Sequence, residues 1–241
     1  MAQVSNFLGK LWQALTGGRK KGTQATSVYF ISGMCYNCTV FDSLILPKGF
    51  EKKYIEWYIP QGDETLEQYA RAIAKDIDTN SPFVLVGYSF GGVIVQEMNR
   101  FLSPQKNILI SSFKAVDEKP MLFRAVKRAH LTGMIPDRMY LSTEFITDVF
   151  NRLVYNLPTE ELAQYMTVTD PRYVKWAVRQ ITEWIPEANS SNLYHIHGTA
   201  DQIFPYELIR NAFPVEDGDH LMVARKAQVV SSILNSILLM R

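Results

Sequence analysis

The sequence predicts an α/β fold with a mostly parallel sheet of about six strands. Short apolar runs alternate with helical patterns along the chain, which is typical of a parallel sheet with helices on both faces. The runs lack the polar alternation of half-exposed strands, which indicates strands buried on both faces. Since 47% of the 241 residues are hydrophobic, the chain has enough apolar side chains to build such a core.

The strands and helices follow from local patterns. The predicted strands are Val28–Ile31, Tyr54–Ile59, Phe83–Gly87, Asn107–Ser111, Leu193–Gly198 and Ala212–Val215. The first run ends at Ser32-Gly33 and the second at Pro60, residues that favour turns. Apolar residues at three- and four-residue steps predict helices at 66–77, 93–101, 208–209 and 229–238.

A long segment between Ser112 and Ser191 interrupts this alternation. Its helical patterns are Met121–Leu131, Glu144–Tyr155, Thr159–Met166 and Pro171–Trp184. The last pattern starts with Asp170-Pro171, an N-cap acid followed by proline at the first helical position. Because the segment is too long for a simple crossover and lies between two strands, we expect residues 113–190 to form an all-helical cap. The core is then formed by residues 27–112 and 191–241.

Residues 1–26 are predicted to form an amphipathic helix and a basic linker. The apolar residues Phe7, Leu8, Leu11 and Leu15 recur at helical spacing, and Arg19–Lys21 follow. We favour a helix that lies on the body of the protein. The alternative is a membrane-surface anchor formed by residues 4–21.

Charge and cysteine content exclude several classes of protein. The 25 basic and 24 acidic side chains leave a formal charge of +1, which favours neither a nucleic-acid partner nor an acidic tail. No run reaches the roughly 18 apolar residues of a membrane span, and the first residues have no secretory signature. Two cysteines cannot make a disulfide framework. We therefore expect a cytoplasmic protein.

A candidate nucleophile stands where the third strand meets a helix. The segment Gly87–Gly91 reads G-x-S-x-G, and a sharp strand-to-helix turn there would lift the Ser89 hydroxyl above the sheet. Glycine is needed on both sides because a Cβ would strike the neighbouring strand or helix. The N-terminus of the helix also favours negative charge nearby.

A serine nucleophile requires a base and a group that orients the base. The chain has four histidines, His130, His195, His197 and His220. Only His220 lies just past the last strand, where a loop at the carboxyl edge of the sheet would meet Ser89. Asp201 follows the fifth strand, so the order Ser89, Asp201, His220 suits nucleophile, acid and base. Asp117 or Glu118, after the fourth strand, is the alternative acid.

Three motifs together carry a family resemblance. They are Gly87–Gly91, His197-Gly198-x-x-Asp201 with Pro205, and Gly218-Asp219-His220. On the basis of these motifs, residues 27–241 resemble an α/β-hydrolase. Within that superfamily the chain is similar to small serine esterases with a cap. The resemblance implies a Ser89–His220–Asp201 triad, a cap over an acyl pocket, and two backbone N–H groups that bind an oxyanion.

The resemblance assigns one oxyanion donor to Phe90, directly after the nucleophile. The other donor belongs to the loop after the first strand, which usually begins His-Gly in this family but here reads Ser32-Gly33-Met34. Met34 N–H is therefore the expected second donor, and Cys35 N–H is the alternative. The stretch before Val28 is too short and too helical for the family's opening antiparallel hairpin, which we expect to be absent.

Other candidate groups have simpler explanations. His195 and His197 point to the same face of a strand, but without a third metal ligand we expect buried, hydrogen-bonded side chains. We expect His130 and Asp219 to be solvated. The C-x-x-C of Cys35 and Cys38 has the spacing of a redox site, although the hydrolase motifs already explain the sheet. A disulfide there would distort the oxyanion loop and make the activity sensitive to dithiothreitol.

The function predicted from these motifs is hydrolysis of carboxylic esters through an acyl-enzyme on Ser89. Bulky apolar residues in the cap, such as Phe145, Phe150 and Trp176, favour small to medium hydrophobic acyl groups. This chemistry needs no metal or organic cofactor, and its partner is a small-molecule ester or thioester. The alternatives are an acyl thioesterase and a non-catalytic binding protein on the same fold.

Overall fold

The computed structural model describes residues 25–120, 124, 164–167, 170–187 and 192–240. A six-stranded sheet lies at its centre, in the order β2-β1-β3-β4-β5-β6, and every pair of neighbouring strands is parallel. The strands are β1 Thr26–Ile31, β2 Phe50–Ile55, β3 Phe83–Tyr88, β4 Lys106–Ile110, β5 Leu193–Gly198 and β6 Phe213–Val215. The predicted six-stranded parallel core is confirmed.

Five helices surround this sheet in the described ranges. They are α1 Leu66–Ile73, α2 Phe90–Met98, α3 Pro171–Glu183, α4 Met222–Arg225 and α5 Ala227–Leu239. Short 3₁₀ segments lie at Cys38–Phe41, Ala74–Asp76, Val116–Glu118 and Tyr206–Leu208. The predicted start of α3 is confirmed, since the Asp170 side chain accepts from Arg172 N–H and Pro171 is the first helical residue.

The strand register brings the carboxyl ends of the central strands into line. All six residues of β3 are buried, because the strand lies between β1 and β4. Ile31 of β1 pairs with Gly87 of β3, and Gly87 pairs with Leu109 of β4. The loops that follow these strands therefore begin beside one another, at one edge of the sheet.

One predicted strand was misplaced. The apolar run at Tyr54–Ile59 was predicted as the second strand, whereas the structure places β2 at Phe50–Ile55. Among the described residues, this strand lies at the sheet edge and pairs only with β1, and its residues Glu51 and Tyr54 are exposed. Charged residues such as Glu51 and Lys53, which form an ion pair, can occupy an edge strand. Its position therefore cannot be predicted from apolar residues alone.

Several predictions fall on residues outside the described part of the chain. The N-terminal helix and linker lie outside it except for residues 25 and 26, as do His130 and most of the first three predicted cap helices. The cap boundaries and the missing opening hairpin thus stay predictions. In the described segments, no helix combines the length and apolar character needed to cross a membrane.

The contact between β1 and α2 leaves no room for a side chain at Gly91. A Cβ on Gly91 would lie 2.1 Å from the Ile31 carbonyl oxygen and 2.5 Å from that of Ser32. Because both are backbone atoms at the end of a buried strand, they cannot move aside. We predict that Gly91→Ala lowers the free energy of unfolding by about 4 kcal/mol, as measured by urea denaturation.

Gly62→Ala is the matched control for this substitution. A Cβ on Gly62 would meet no atom within 4 Å, and φ is +62°. Its expected loss is only the roughly 1–2 kcal/mol of a left-handed non-glycine residue. Equal losses for the two variants would contradict the close contact at Gly91.

Candidate active site

Ser89 occupies a strained turn between β3 and α2. Its φ is 53° and its ψ is −119°, values that an L-residue keeps only where the surroundings hold it. Ser89 N–H donates to the Ile110 carbonyl at 2.9 Å, and the Ser112 hydroxyl donates to the Ser89 carbonyl at 2.8 Å. A Cβ on Gly87 would lie 2.3 Å from the Gly91 carbonyl oxygen, so the turn requires small residues at both positions.

The structure brings Ser89, His220 and Asp201 into one hydrogen-bonded row. His220 Nδ1 lies 2.8 Å from Asp201 Oδ2, and His220 Nε2 lies 2.9 Å from Ser89 Oγ. His220 and Asp201 are buried, whereas Ser89 is partly exposed. Because an ionised carboxylate only accepts hydrogen bonds, His220 carries its proton on Nδ1, and its Nε2 accepts from the serine hydroxyl.

The Asp201 carboxylate is held in place and kept ionised. Its Oδ1 accepts from Ile203 N–H at 2.9 Å and from Phe204 N–H at 3.0 Å. Burial acts to raise the pKa of Asp201, but its interactions with His220, including the hydrogen bond, and with His197 outweigh burial and hold that pKa below its ordinary value. Asp201 is therefore an anion at neutral pH.

A glycine pair brings the acid loop and the histidine loop together. A Cβ on Gly198, at the end of β5, would lie 2.1 Å from the Gly218 carbonyl oxygen. That carbonyl also accepts from Ala200 N–H at 3.0 Å. The loops that carry Asp201 and His220 follow the neighbouring strands β5 and β6, and this close backbone contact joins them.

The loop after β1 packs against Ser89. Gly33 packs so closely against the nucleophile that a Cβ on it would lie 3.0 Å from Ser89 Cβ. Tyr36 N–H donates to the Gly33 carbonyl at 3.0 Å, which closes a turn with Cys35 at a φ of 69°. Within the part of the chain that the structure describes, neither Met34 N–H nor Phe90 N–H donates to a protein atom.

Ser32 and Trp57 connect the loop after β1 to Phe90, and the sequence did not indicate this. The Ser32 hydroxyl donates to the Tyr36 carbonyl at 2.6 Å and accepts from Trp57 Nε1–H at 2.7 Å. The Trp57 ring stacks on Phe90, with centroids 5.6 Å apart and planes 2° apart. Ser32 thus stands where the family usually has histidine and orders the loop that contains Met34.

A short piece of the predicted cap pairs with the same loop. Asn37 N–H donates to the Tyr165 carbonyl at 2.9 Å, and Thr167 N–H donates to the Cys35 carbonyl at 3.0 Å. Tyr36 and Met166 form an antiparallel bridge between them. The backbone of residues 165–167 therefore restrains the loop in addition to Ser32.

The alternative acids have other partners. Asp117 is exposed and pairs with the Arg210 guanidinium. Glu118 is buried, and its carboxylate accepts from Lys114 N–H at 2.7 Å and Arg210 N–H at 3.1 Å. It is Asp201 that accepts from His220 Nδ1. Asp219, expected to be solvated, pairs with Arg225.

His195 and His197 lie on the same face of β5, as predicted, and contact each other. His195 Nε2 is 3.1 Å from His197 Nδ1, and both side chains are buried. Burial is the main cause that lowers the pKa of each imidazole. No group of three or more potential metal ligands occurs among the described residues.

The two cysteines are free, buried thiols. Burial raises the pKa of Cys35 to about 12, and burial together with the Glu56 charge raises that of Cys38 to about 12. Reactive cysteines have a lowered pKa and partial exposure. The C-x-x-C segment therefore does not have the environment of a redox nucleophile.

Comparisons with known proteins support the fold. No family model and no curated protein matches the chain. A thermophilic esterase from Thermogutta terrifontis is 17% identical, with a TM-score of 0.62 over 89% of this chain and 91% of that one. MenH from S. aureus is 15% identical, with a TM-score of 0.68 over 88% and 93%.

A carboxylesterase structure from Nitrososphaera gargenis is also similar. It is 15% identical to this chain, with a TM-score of 0.68 over 90% of each chain. At these identities the similarity concerns the fold. Together with the parallel sheet, it confirms the predicted α/β-hydrolase fold.

Proposed function

We propose that this chain, which has the α/β-hydrolase fold, is a serine hydrolase that cleaves carboxylic esters of small to medium hydrophobic acyl groups. The observation that carries the proposal is the hydrogen-bonded row from Ser89 through His220 to Asp201. A serine hydroxyl becomes a nucleophile when a neighbouring base takes its proton and a third group orients the base. The strained turn presents that hydroxyl at the carboxyl edge of the sheet.

In the first half-reaction, Ser89 Oγ attacks the ester carbonyl carbon while His220 Nε2 takes the hydroxyl proton. Asp201 keeps the imidazole in the required tautomer and stabilises its cation. The oxyanion accepts from Met34 N–H and Phe90 N–H, and each such donor contributes roughly 2.7–4 kcal/mol in the transition state. His220 then gives its proton to the alcohol oxygen as the ester C–O bond breaks.

In the second half-reaction, water replaces the alcohol. His220 takes a proton from the water, whose oxygen attacks the acyl carbon of the acyl-enzyme. The same two N–H groups receive the second oxyanion. The bond to Ser89 Oγ then breaks, His220 returns the proton to that oxygen, and the carboxylic acid leaves.

The apolar surroundings of Phe90 support a hydrophobic acyl group. Trp57 stacks on Phe90, and Trp176 of α3 lies edge-on to it with centroids 5.8 Å apart. Tyr173, one turn earlier on α3, contacts Trp57 with centroids 5.5 Å apart. Aromatic side chains thus connect the residue after the nucleophile to α3, which is in keeping with an apolar acyl group.

A fluorophosphonate probe tests the proposal directly. We expect one covalent adduct, located on Ser89 by mass spectrometry of the peptides, because the probe reacts with activated serines. We also expect p-nitrophenyl esters from acetate to octanoate to be hydrolysed faster than the matching acyl-CoA thioesters. A folded protein that stays unlabelled would favour a binding function, and faster cleavage of the thioesters would favour a thioesterase.

A further inference from the structure

A chain of hydrogen bonds connects Lys114, through the interior of the protein, to the loop that contains Asp201. Lys114 Nζ lies 3.1 Å from His195 Nδ1, and His195 Nε2 lies 3.1 Å from His197 Nδ1. His197 Nε2 lies 2.8 Å from the Phe204 carbonyl oxygen. Phe204 N–H in turn donates to Asp201 Oδ1, so the chain ends on the loop of the proposed catalytic acid.

The Lys114 end gives the chain a direction. An ammonium group only donates hydrogen bonds, so His195 Nδ1 must accept. A neutral imidazole with an accepting Nδ1 carries its proton on Nε2. His195 therefore donates from Nε2 to His197 Nδ1, which must also accept.

The Phe204 end of the hydrogen-bond chain independently indicates the same direction of hydrogen-bond donation. The Phe204 carbonyl oxygen only accepts, so His197 Nε2 must carry a proton. If His197 is neutral, its Nδ1 is then an acceptor, as the Lys114 end requires. Both ends thus assign the Nε2–H tautomer to both histidines.

Burial is the main reason that both imidazoles stay neutral. For His195, the effects of burial, His197 and Lys114 outweigh the Ser112 carbonyl and lower its pKa well below the ordinary value. A proton on His195 Nδ1 would also point an N–H at the Lys114 ammonium, which would break the chain.

For His197, burial is again the largest effect on the pKa and lowers it. The Asp201 and Glu118 carboxylates and the Phe204 carbonyl act in the opposite direction, while the nearby His220 lowers it further. Glu118 is also 3.4 Å from Lys114 Nζ. The Tyr206 ring stacks beside His197 with centroids 6.3 Å apart.

We propose that His197 is a positioning residue for Asp201, and that Lys114 and His195 hold it in the tautomer that this role requires. Through Phe204, its Nε2–H anchors the backbone that donates to Asp201 Oδ1. The same nitrogen lies 3.5 Å from Asp201 Oδ2. With Oδ1 held by the Phe204 backbone, Oδ2 is left to accept from His220 Nδ1. This role rests on the proposed hydrolase function.

A pair of substitutions separates positioning from packing. His197→Phe keeps a ring but removes the donor, and we expect kcat for p-nitrophenyl butyrate to fall roughly 10- to 100-fold with KM changed less than about twofold. His197→Gln keeps a neutral N–H donor at a similar reach, and we expect it to restore kcat to within about threefold of wild type. Wild-type kcat in His197→Phe would overturn the role, as would equal losses in both variants.

The tautomers can be measured without any activity. In long-range ¹H–¹⁵N NMR spectra of the whole protein at about pH 7.5, we expect neutral Nε2–H forms for His195 and His197, because burial lowers the pKa of each below the ordinary histidine value near 6.5. Lys114 is the member of the hydrogen-bond chain that lies farthest from Asp201. We expect Lys114→Met to let His195 adopt the Nδ1–H form. An Nδ1–H or charged His197 in the wild type would overturn the proposal.

These measurements can refute the positioning role and the hydrolase function separately. A wild-type protein that does not react with the fluorophosphonate refutes the hydrolase function, whereas the NMR tautomers still report on the chain. A wild type that reacts, beside a His197→Phe variant with unchanged kcat and KM, refutes the positioning role alone. If His197→Phe does not fold, the wild-type tautomers and the Lys114→Met spectrum decide the outcome.

Discussion

Ser89→Ala is expected to lower kcat for ester hydrolysis by about 10⁵- to 10⁶-fold, the effect of removing a serine nucleophile that acts with a base and an acid. Without Oγ, His220 Nε2 loses its 2.9 Å partner, and no acyl-enzyme can form. Any residual rate would come from attack by water assisted by the proposed oxyanion donors. Initial rates with p-nitrophenyl butyrate at saturation measure the effect, and the fluorophosphonate adduct should disappear.

Ser236→Ala is the matched control for this loss. Ser236 is exposed on α5, and its hydroxyl donates only within that helix, to the Ser232 carbonyl. We expect unchanged kcat and unchanged labelling. If Ser89→Ala kept more than about one hundredth of the wild-type kcat, another group would have to be the nucleophile.

Asp201→Asn is expected to lower kcat by about 10⁴-fold through the tautomer of His220. Two backbone N–H groups, those of Ile203 and Phe204, donate to Oδ1. The amide oxygen of asparagine will therefore take that place, and its NH₂ group will face His220 Nδ1. Since an NH₂ group donates, Nδ1 must accept, and the proton moves to Nε2. That nitrogen can then no longer accept the proton of Ser89.

Asp117→Asn provides the comparison that distinguishes the two candidate acids. Asp117 is exposed and pairs with Arg210, and exposed pairs contribute about 0–1 kcal/mol to stability. We expect kcat and KM within about twofold of wild type. A larger loss of kcat in Asp117→Asn than in Asp201→Asn would contradict the assignment of Asp201 as the acid.

The sequence was informative about the fold where the signal is local. The buried strand β3 is a continuous apolar run, and its bounds differ from the prediction by one residue. The edge strand β2 was misplaced, because its charged residues face solvent and pair with one neighbour only. A strand buried on both faces has a continuous apolar sequence that predicts it, whereas an edge strand also contains charged residues and is harder to predict.

For the candidate site, the sequence identified residue types and their chain order. Ser89, Asp201 and His220 each follow a strand in a recognisable motif, and the structure brings them within hydrogen-bond distance. Trp57 had no such signal. It was assigned to a strand, and its bond to Ser32 spans 25 residues while its ring stacks on Phe90.

The amino-acid order by itself determined the parallel α/β core and the three candidate side chains at one edge of it, because apolar runs and strand-to-loop motifs are properties of adjacent residues. Only the tertiary structure decided how these groups are supported. Lys114 and His195 are 81 residues apart, and the direction of hydrogen bonding from one to the other depends on distances between atoms. Such distances result from packing of the whole sheet, which no local pattern encodes.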